Sequence, residues 1–178
     1  MPDWRGRNGA PDEVVASAQV RHEAAGEAWA SGAVLAEVAV DADTGVVTVE
    51  RITWVDDAGR VINPLLVQGQ LVGGLAQGLG AALMERIVYQ DGQLLTGSLM
   101  DYALPRATDM PPVRIFSQPN LSPVNDLGVK GVGEAGCIGV PAAILNAVQD
   151  ALLPYGAPDL SLPLTPEKVW RAMTGRPL

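Results

Sequence analysis

From residue 33 onward β-branched and apolar residues alternate with polar ones in AVLAEVAVDADTGVVTVERITWV, and the alternation breaks at Asp41-Ala42-Asp43-Thr44-Gly45. A period of two on both sides of a turn cluster predicts a β-hairpin, with Gly45 supplying a positive φ at the end of the loop. The next segment, NPLLVQGQLVGGLAQGLGAALMERI, opens on Asn63, an N-cap candidate, and Pro64, suited to the first helical position. At the helical period Gln70, Gly73, Gly74, Gln77 and Ala81 fall on one face, and Val72, Leu75, Leu79 and Leu83 fall roughly opposite. This helix is intrinsically poor, because each of Gly69, Gly73, Gly74, Gly78 and Gly80 costs about 1 kcal/mol relative to alanine. Something must approach its backbone closely to compensate.

Shorter elements follow. Ile87 to Tyr89 and Gln93 to Thr96 flank Gln90-Asp91-Gly92 and predict a second hairpin, and Val113 to Ser117 is a further strand candidate. Between them TGSLMDYALPRATDMPP is a proline-punctuated loop. Ile138 to Leu152 predicts a helix with Ile144, Leu145, Val148, Ala151 and Leu152 at near-helical spacing and Pro141 in its first turn. In LTPEKVW, Thr165 caps a short helix with Pro166 at its first position. Strand pairs and helices without βαβ alternation predict an α+β fold: β-hairpins packed with a glycine-rich helix and a C-terminal helix. Residues 1–31 form a poorly determined arm, in which the stretch from Asp12 to Trp29 is compatible with helix but has no firm apolar stripe. Residues 32–178 form the folded portion.

Composition narrows the function classes. A chain of 178 residues with 48% hydrophobic content can bury a core and is not disordered over most of its length. Its 20 acidic against 12 basic residues give a net charge of -8, the wrong sign for a nucleic-acid partner. One histidine and one cysteine supply neither an internal disulfide nor a set of metal ligands, so any metal arrives bound to another group. No apolar run is long enough for a membrane span or signal peptide, and the expectation is a cytoplasmic protein.

The glycine-rich stretch LGVKGVGEAGCIGVPAAILNAVQDAL carries the candidate chemistry. Gly131-x-Gly133-x-x-Gly136 has the spacing of a dinucleotide-binding turn, which requires a preceding buried strand and an acidic residue on a second strand. Upstream, SQPNLSPVNDLGVK has no clean strand, and Asp159 downstream lies on no credible strand. Glu134 is then either a solvated or N-capping carboxylate, or a general base: the small Gly133 and Ala135 leave room for a ligand, and a helix start favours the ionised form. Cys137 reads as a buried small residue, and Asp56 and Asp57, ahead of Gly59, read as turn formers. His22 lies in the arm and receives no role.

The run from INPLLVQGQLVGGLAQGLGAALMERI through MDYALPRATDMP, followed by LGVKGVGEAGCIGVPAAILNAVQDAL and PLTPEKVW, resembles the C-terminal part of the molybdopterin-binding subunit of the xanthine dehydrogenase, aldehyde oxidase and aerobic carbon monoxide dehydrogenase family. The resemblance runs from about Gly32 to Trp170. It implies a molybdopterin cofactor with molybdenum, in its cytosine dinucleotide form, and hydroxylation of a carbon centre with oxygen taken from water. It implies Glu134 as the general base, Gln70 as an amide donor to the cofactor, Gly73 and Gly74 as admitting a close approach, and Gln77 on the same face. Gly131, Gly133 and Lys130 would frame the base, Lys130 being otherwise a surface lysine. The family's subunit is several times longer than this chain. The implied partners are therefore the remaining molybdenum-subunit segment, an iron-sulfur subunit and a flavin subunit carrying FAD, with a small-molecule substrate. A non-catalytic structural or assembly module, or a truncated remnant, of the same family is the alternative. Either way the chain alone should expose apolar or small-residue surface.

Overall fold

The computed structural model describes residues 18–21, 23, 25–156 and 159–176. His22, Ala24 and residues 12–17 of the Asp12 to Trp29 stretch lie outside the described residues, and the described part of the arm up to Ala30 contains no helix.

Strands β1 (Ser31–Val40) and β2 (Val47–Asp57) pair antiparallel, with a bulge between Glu37 and Val38. Their turn is built as the sequence predicts. Asp41 accepts from the N–H groups of Asp43 and Thr44, both at 2.9 Å, and Gly45 has φ +74°. A Cβ on Gly45 would run into Pro166 and Trp170, so the bare glycine also lets the C-terminal helix sit against the hairpin.

Helix α1 (Pro64–Leu83) starts where expected, with the Asn63 side chain accepting from Leu66 N–H at 3.2 Å. The second hairpin is shorter than predicted. Strands β3 (Tyr89–Gln90) and β4 (Gln93–Leu94) are joined by Asp91-Gly92, with φ of 50° and 80°, the two positive values of a type I′ turn.

Strand β5 (Val113–Ser117) lies parallel to β2, giving a three-stranded sheet in the order β1-β2-β5. This corrects the expectation that no βαβ connection occurs: α1 lies on the path between two parallel neighbours. The α+β class stands, since the rest of the pairing is antiparallel.

Helix α2 spans Ala135–Ala151, three residues earlier than the periodicity predicts, which leaves Pro141 inside it rather than in its first turn. The early start is made possible by glycine. Gly136 packs against Gly74 and Gly78 of α1, so closely that a Cβ on Gly136 would fall within the backbone of Gly74 and Leu75. Helix α3 (Pro166–Thr174) is capped by Thr165, whose hydroxyl accepts from Lys168 N–H at 3.4 Å.

The core lies between the sheet and the α1–α2 pair, with Ile52 and Trp54 from β2, Leu71, Leu75 and Leu79 from α1, and Val140, Ile144 and Val148 from α2. The buried stripe of α1 is rotated from the predicted one. Leu71 and Ala82 are buried whereas Val72 is 38% exposed, because the α2 contact at Gly74 and Gly78 fixes the inward direction. Leu65, Leu66, Leu99, Met100 and Ile138 stand exposed, an apolar surface of the expected kind. Among the described residues no helix is long and apolar enough to cross a membrane.

Candidate functional site

The glycine loop is held at both ends. On one side, residues 128–130 bridge to the end of β2: Arg60 N–H donates to Gly128 C=O at 2.9 Å and Lys130 N–H to Ala58 C=O at 3.1 Å. The Lys130 ammonium donates to Asp57 Oδ2 at 2.6 Å, and both side chains are only 9% exposed. Asp57 also accepts from the N–H groups of Gly59 and Asn120, both at 2.9 Å, and from the Ser31 hydroxyl at 3.2 Å. The Lys130 hydrogen bond, followed by that from Asn120, holds the Asp57 carboxyl well below the usual carboxylate range. On the other side, the loop runs directly into α2, pinned at Gly136.

Between these anchors Gly131 to Glu134 are open. Among the described residues their backbone N–H groups make no hydrogen bond. Glu134 occupies the N-cap position of α2, yet its side chain makes no capping hydrogen bond and the residue is exposed. The capping alternative for this carboxylate is therefore not realised. Its side chain is free at the positive end of a 17-residue helix.

The open face of α1 lies beside this loop. A Cβ on Gly133 would stand 3.7 Å from Gln70 Oε1, and the exposed Gln70 amide makes no hydrogen bond among the described residues. Gly69 and Gly73 meet nothing within 4 Å, so their missing side chains leave space outside the helix. Gln77 continues the same face, where its Oε1 accepts from the Cys137 thiol at 3.1 Å. Gly74 does not share this face. It is buried against Gly136, and the close approach it admits is that of α2.

A further reading of a single residue is corrected, and one alternative is removed. Cys137 is exposed rather than buried, because the first turn of α2 directs it outward along Gln77 instead of into the core. Lys130 is no surface lysine, since its charge is committed to Asp57. Asp57 is a turn former through Gly59, as read, but its larger role is as the acceptor that ties β1, β2 and the glycine loop together. Its signal in the sequence was faint, since the base it pairs with, Lys130, lies 73 residues further on.

A cavity of about 400 Å³ opens between β1, β2, the glycine loop and the first turns of α2, walled by Trp29, Gly32, Trp54, Asp56, Gly131, Gly133, Glu134 and Ile138 among others; Gln70, Gly73 and Gln77 of α1 are not among its walls. No group of three or more His, Cys, Asp or Glu side chains comes together among the described residues. The site instead presents backbone N–H groups, carboxamides and a carboxylate around bare glycines, a donor set suited to a large polar organic group.

A family model described as the molybdopterin cofactor-binding domain matches residues 10–111, reaching back beyond the Gly32 limit of the resemblance into the arm. The chain is 47% identical over 139 residues to the nicotine 6-hydroxylase large subunit of Paenarthrobacter nicotinovorans, covering 78% of this chain and 17% of that one. It is 35% identical over 143 residues to the carbon monoxide dehydrogenase large chain of Hydrogenophaga pseudoflava, covering 80% and 18%. Superposed on quinoline 2-oxidoreductase from Pseudomonas putida 86, it gives a TM-score of 0.74 at 42% identity, covering 79% of this chain and 18% of that one. The chain thus spans less than a fifth of the length of these relatives. With the domain model, the sequence identity and the backbone in agreement, the chain belongs to the molybdenum hydroxylase large-subunit family and represents part of its molybdopterin-binding subunit.

Proposed function

We propose that this chain supplies the general base and part of the cofactor contact of a molybdenum hydroxylase, which oxidatively hydroxylates a carbon centre with oxygen from water. The observation that carries this reading is the meeting of the Gln70 amide with the glycine loop, beside a Glu134 carboxylate that does not cap its helix. Glu134 accepts a proton from the oxygen that becomes bonded to the substrate; its freedom from internal hydrogen bonds leaves it able to do so. Gln70 and Gln77 offer carboxamides to the cofactor, Gly73 leaves room at the helix backbone, and Gly131 and Gly133 offer unclaimed N–H groups. Gly74 and Lys130 act one step back, Gly74 by seating α2 and Lys130 by fixing the loop to Asp57. The cofactor, molybdopterin in its cytosine dinucleotide form, supplies the two-electron redox chemistry when bound.

The active unit is a complex with the remaining molybdenum-subunit segment, an iron-sulfur subunit and a flavin subunit with FAD, located in the cytoplasm. Apolar side chains left open at Leu65, Leu66, Leu99 and Met100 support assembly, as do relatives named as a large subunit and a large chain. The test is purification of the tagged chain from its host with assay of the eluate for molybdenum, iron, flavin and co-purifying chains. Molybdenum near one per chain, with partners, is the expected result. Partners without molybdenum would favour a second reading, a structural or assembly module.

A further inference from the structure

We propose that the carboxyl of Asp56 is a docking point for one cationic side chain, a lysine or arginine, carried by the part of the molybdenum subunit that lies outside this chain. The inference rests on the reading that the chain assembles with that segment. Asp56 ends the core-facing row Ile52, Trp54, Asp56 of β2 and is only 3% exposed. Among the described residues no hydrogen bond reaches its carboxylate, whereas the adjacent Asp57 accepts four. The nearby buried cation, Lys130, is already spent on Asp57.

A carboxylate withdrawn from water without a partner is costly, and proteins resolve that cost with a counter-charge or by neutralising the acid. Burial, with Asp57 alongside, pushes the Asp56 carboxyl up. The side chain is not sealed away, however. It walls the 400 Å³ cavity and also a second one of about 320 Å³, between β2, β5 and the first turns of α1. Trp29 and Ile138, 75% and 74% exposed, stand in the wall of the larger cavity. Large apolar groups beside a buried acid suit a long aliphatic stem with a cationic tip. A cationic tip meets a carboxylate of opposite charge at this wall. The chain's net charge of -8 favours the same sign of partner.

The remaining molybdenum-subunit segment, supplied as a separate chain from the same host, is titrated calorimetrically into the wild type, Asp56→Asn and Asp56→Leu. The expected result is association weakened about tenfold or more in both variants, while Asp56→Leu raises the melting temperature of the chain alone. Wild-type binding with undiminished affinity in both variants would overturn the Asp56 assignment and leave the assembly reading standing. Failure of the wild type itself to bind would overturn the assembly reading, and the docking point with it. A measurement without any substitution serves if a variant fails to fold: the carbon-13 shift of the Asp56 carboxyl against pH. Its midpoint should fall when the segment binds, and an unchanged or higher midpoint would defeat the proposal.

Discussion

Lys130 Nζ stands 2.6 Å from Asp57 Oδ2, a buried ion pair joining the residue before the glycine loop to the last residue of β2. Removing one member strands the other's charge away from water. Lys130→Met should therefore cost about 3 kcal/mol or more in unfolding free energy, read from denaturant midpoints. The amides of Arg60 and Lys130, which donate across the loop's anchor, should also lose protection from hydrogen exchange.

The same pair sets a pH response. The folded Asp57 carboxyl is depressed, chiefly by the Lys130 hydrogen bond and then by Asn120 N–H, so the native state binds this proton less readily than the unfolded chain. Its contribution is complete above the unfolded carboxylate value near 3.9, about that of a free aspartate, and is lost as pH falls below it. Melting temperature followed through that range should drop more steeply for the wild type than for Asp57→Asn. Parallel curves would remove Asp57 from the acid response.

Gly136 and Gly73 should behave as opposites under the same substitution. Alanine at Gly136 places a Cβ inside the backbone of α1, and the helix pair must separate, with a loss of several kcal/mol, about the scale of severe overpacking. Alanine at Gly73 meets nothing within 4 Å and should raise stability by up to about 1 kcal/mol through helix propensity. If Gly73 keeps space for the cofactor, this stabilised variant should nevertheless carry less molybdenum after reconstitution.

Glu134→Gln should leave the melting temperature within about 0.5 kcal/mol equivalent of the wild type, since an exposed side chain without a capping bond is being replaced. Turnover of the assembled enzyme should fall by about 10²-fold or more, the range of a lost general base. Unchanged turnover would end the base assignment.

Cys137 offers a direct probe of the site face. Its exposed thiol beside Gln77 should react fully with iodoacetamide in the folded chain. Modification only on denaturation would restore the buried reading. Loading with cofactor should slow the reaction if the α1 face is covered.

What the sequence determined by itself was local. Asn63-Pro64 and Thr165-Pro166 mark helix starts because capping and proline geometry involve neighbours along the chain, and Gly45 and Asp91-Gly92 mark turns because positive φ is a property of single residues. The run of motifs also carried the family, on which the proposed roles of Glu134 and Gln70 rest. Only the tertiary structure decided which glycines of α1 face inward: Gly74 and Gly78 are consumed by Gly136, while Gly69 and Gly73 stay open. It also decided that β5 joins β2 in parallel, that Lys130 pairs with Asp57, and that Asp56 is left 3% exposed at the cavity walls with no hydrogen bond to its carboxylate among the described residues. Periodicity describes one helix or strand at a time, whereas these outcomes depend on where residues far apart in the chain meet, and composition holds no record of that.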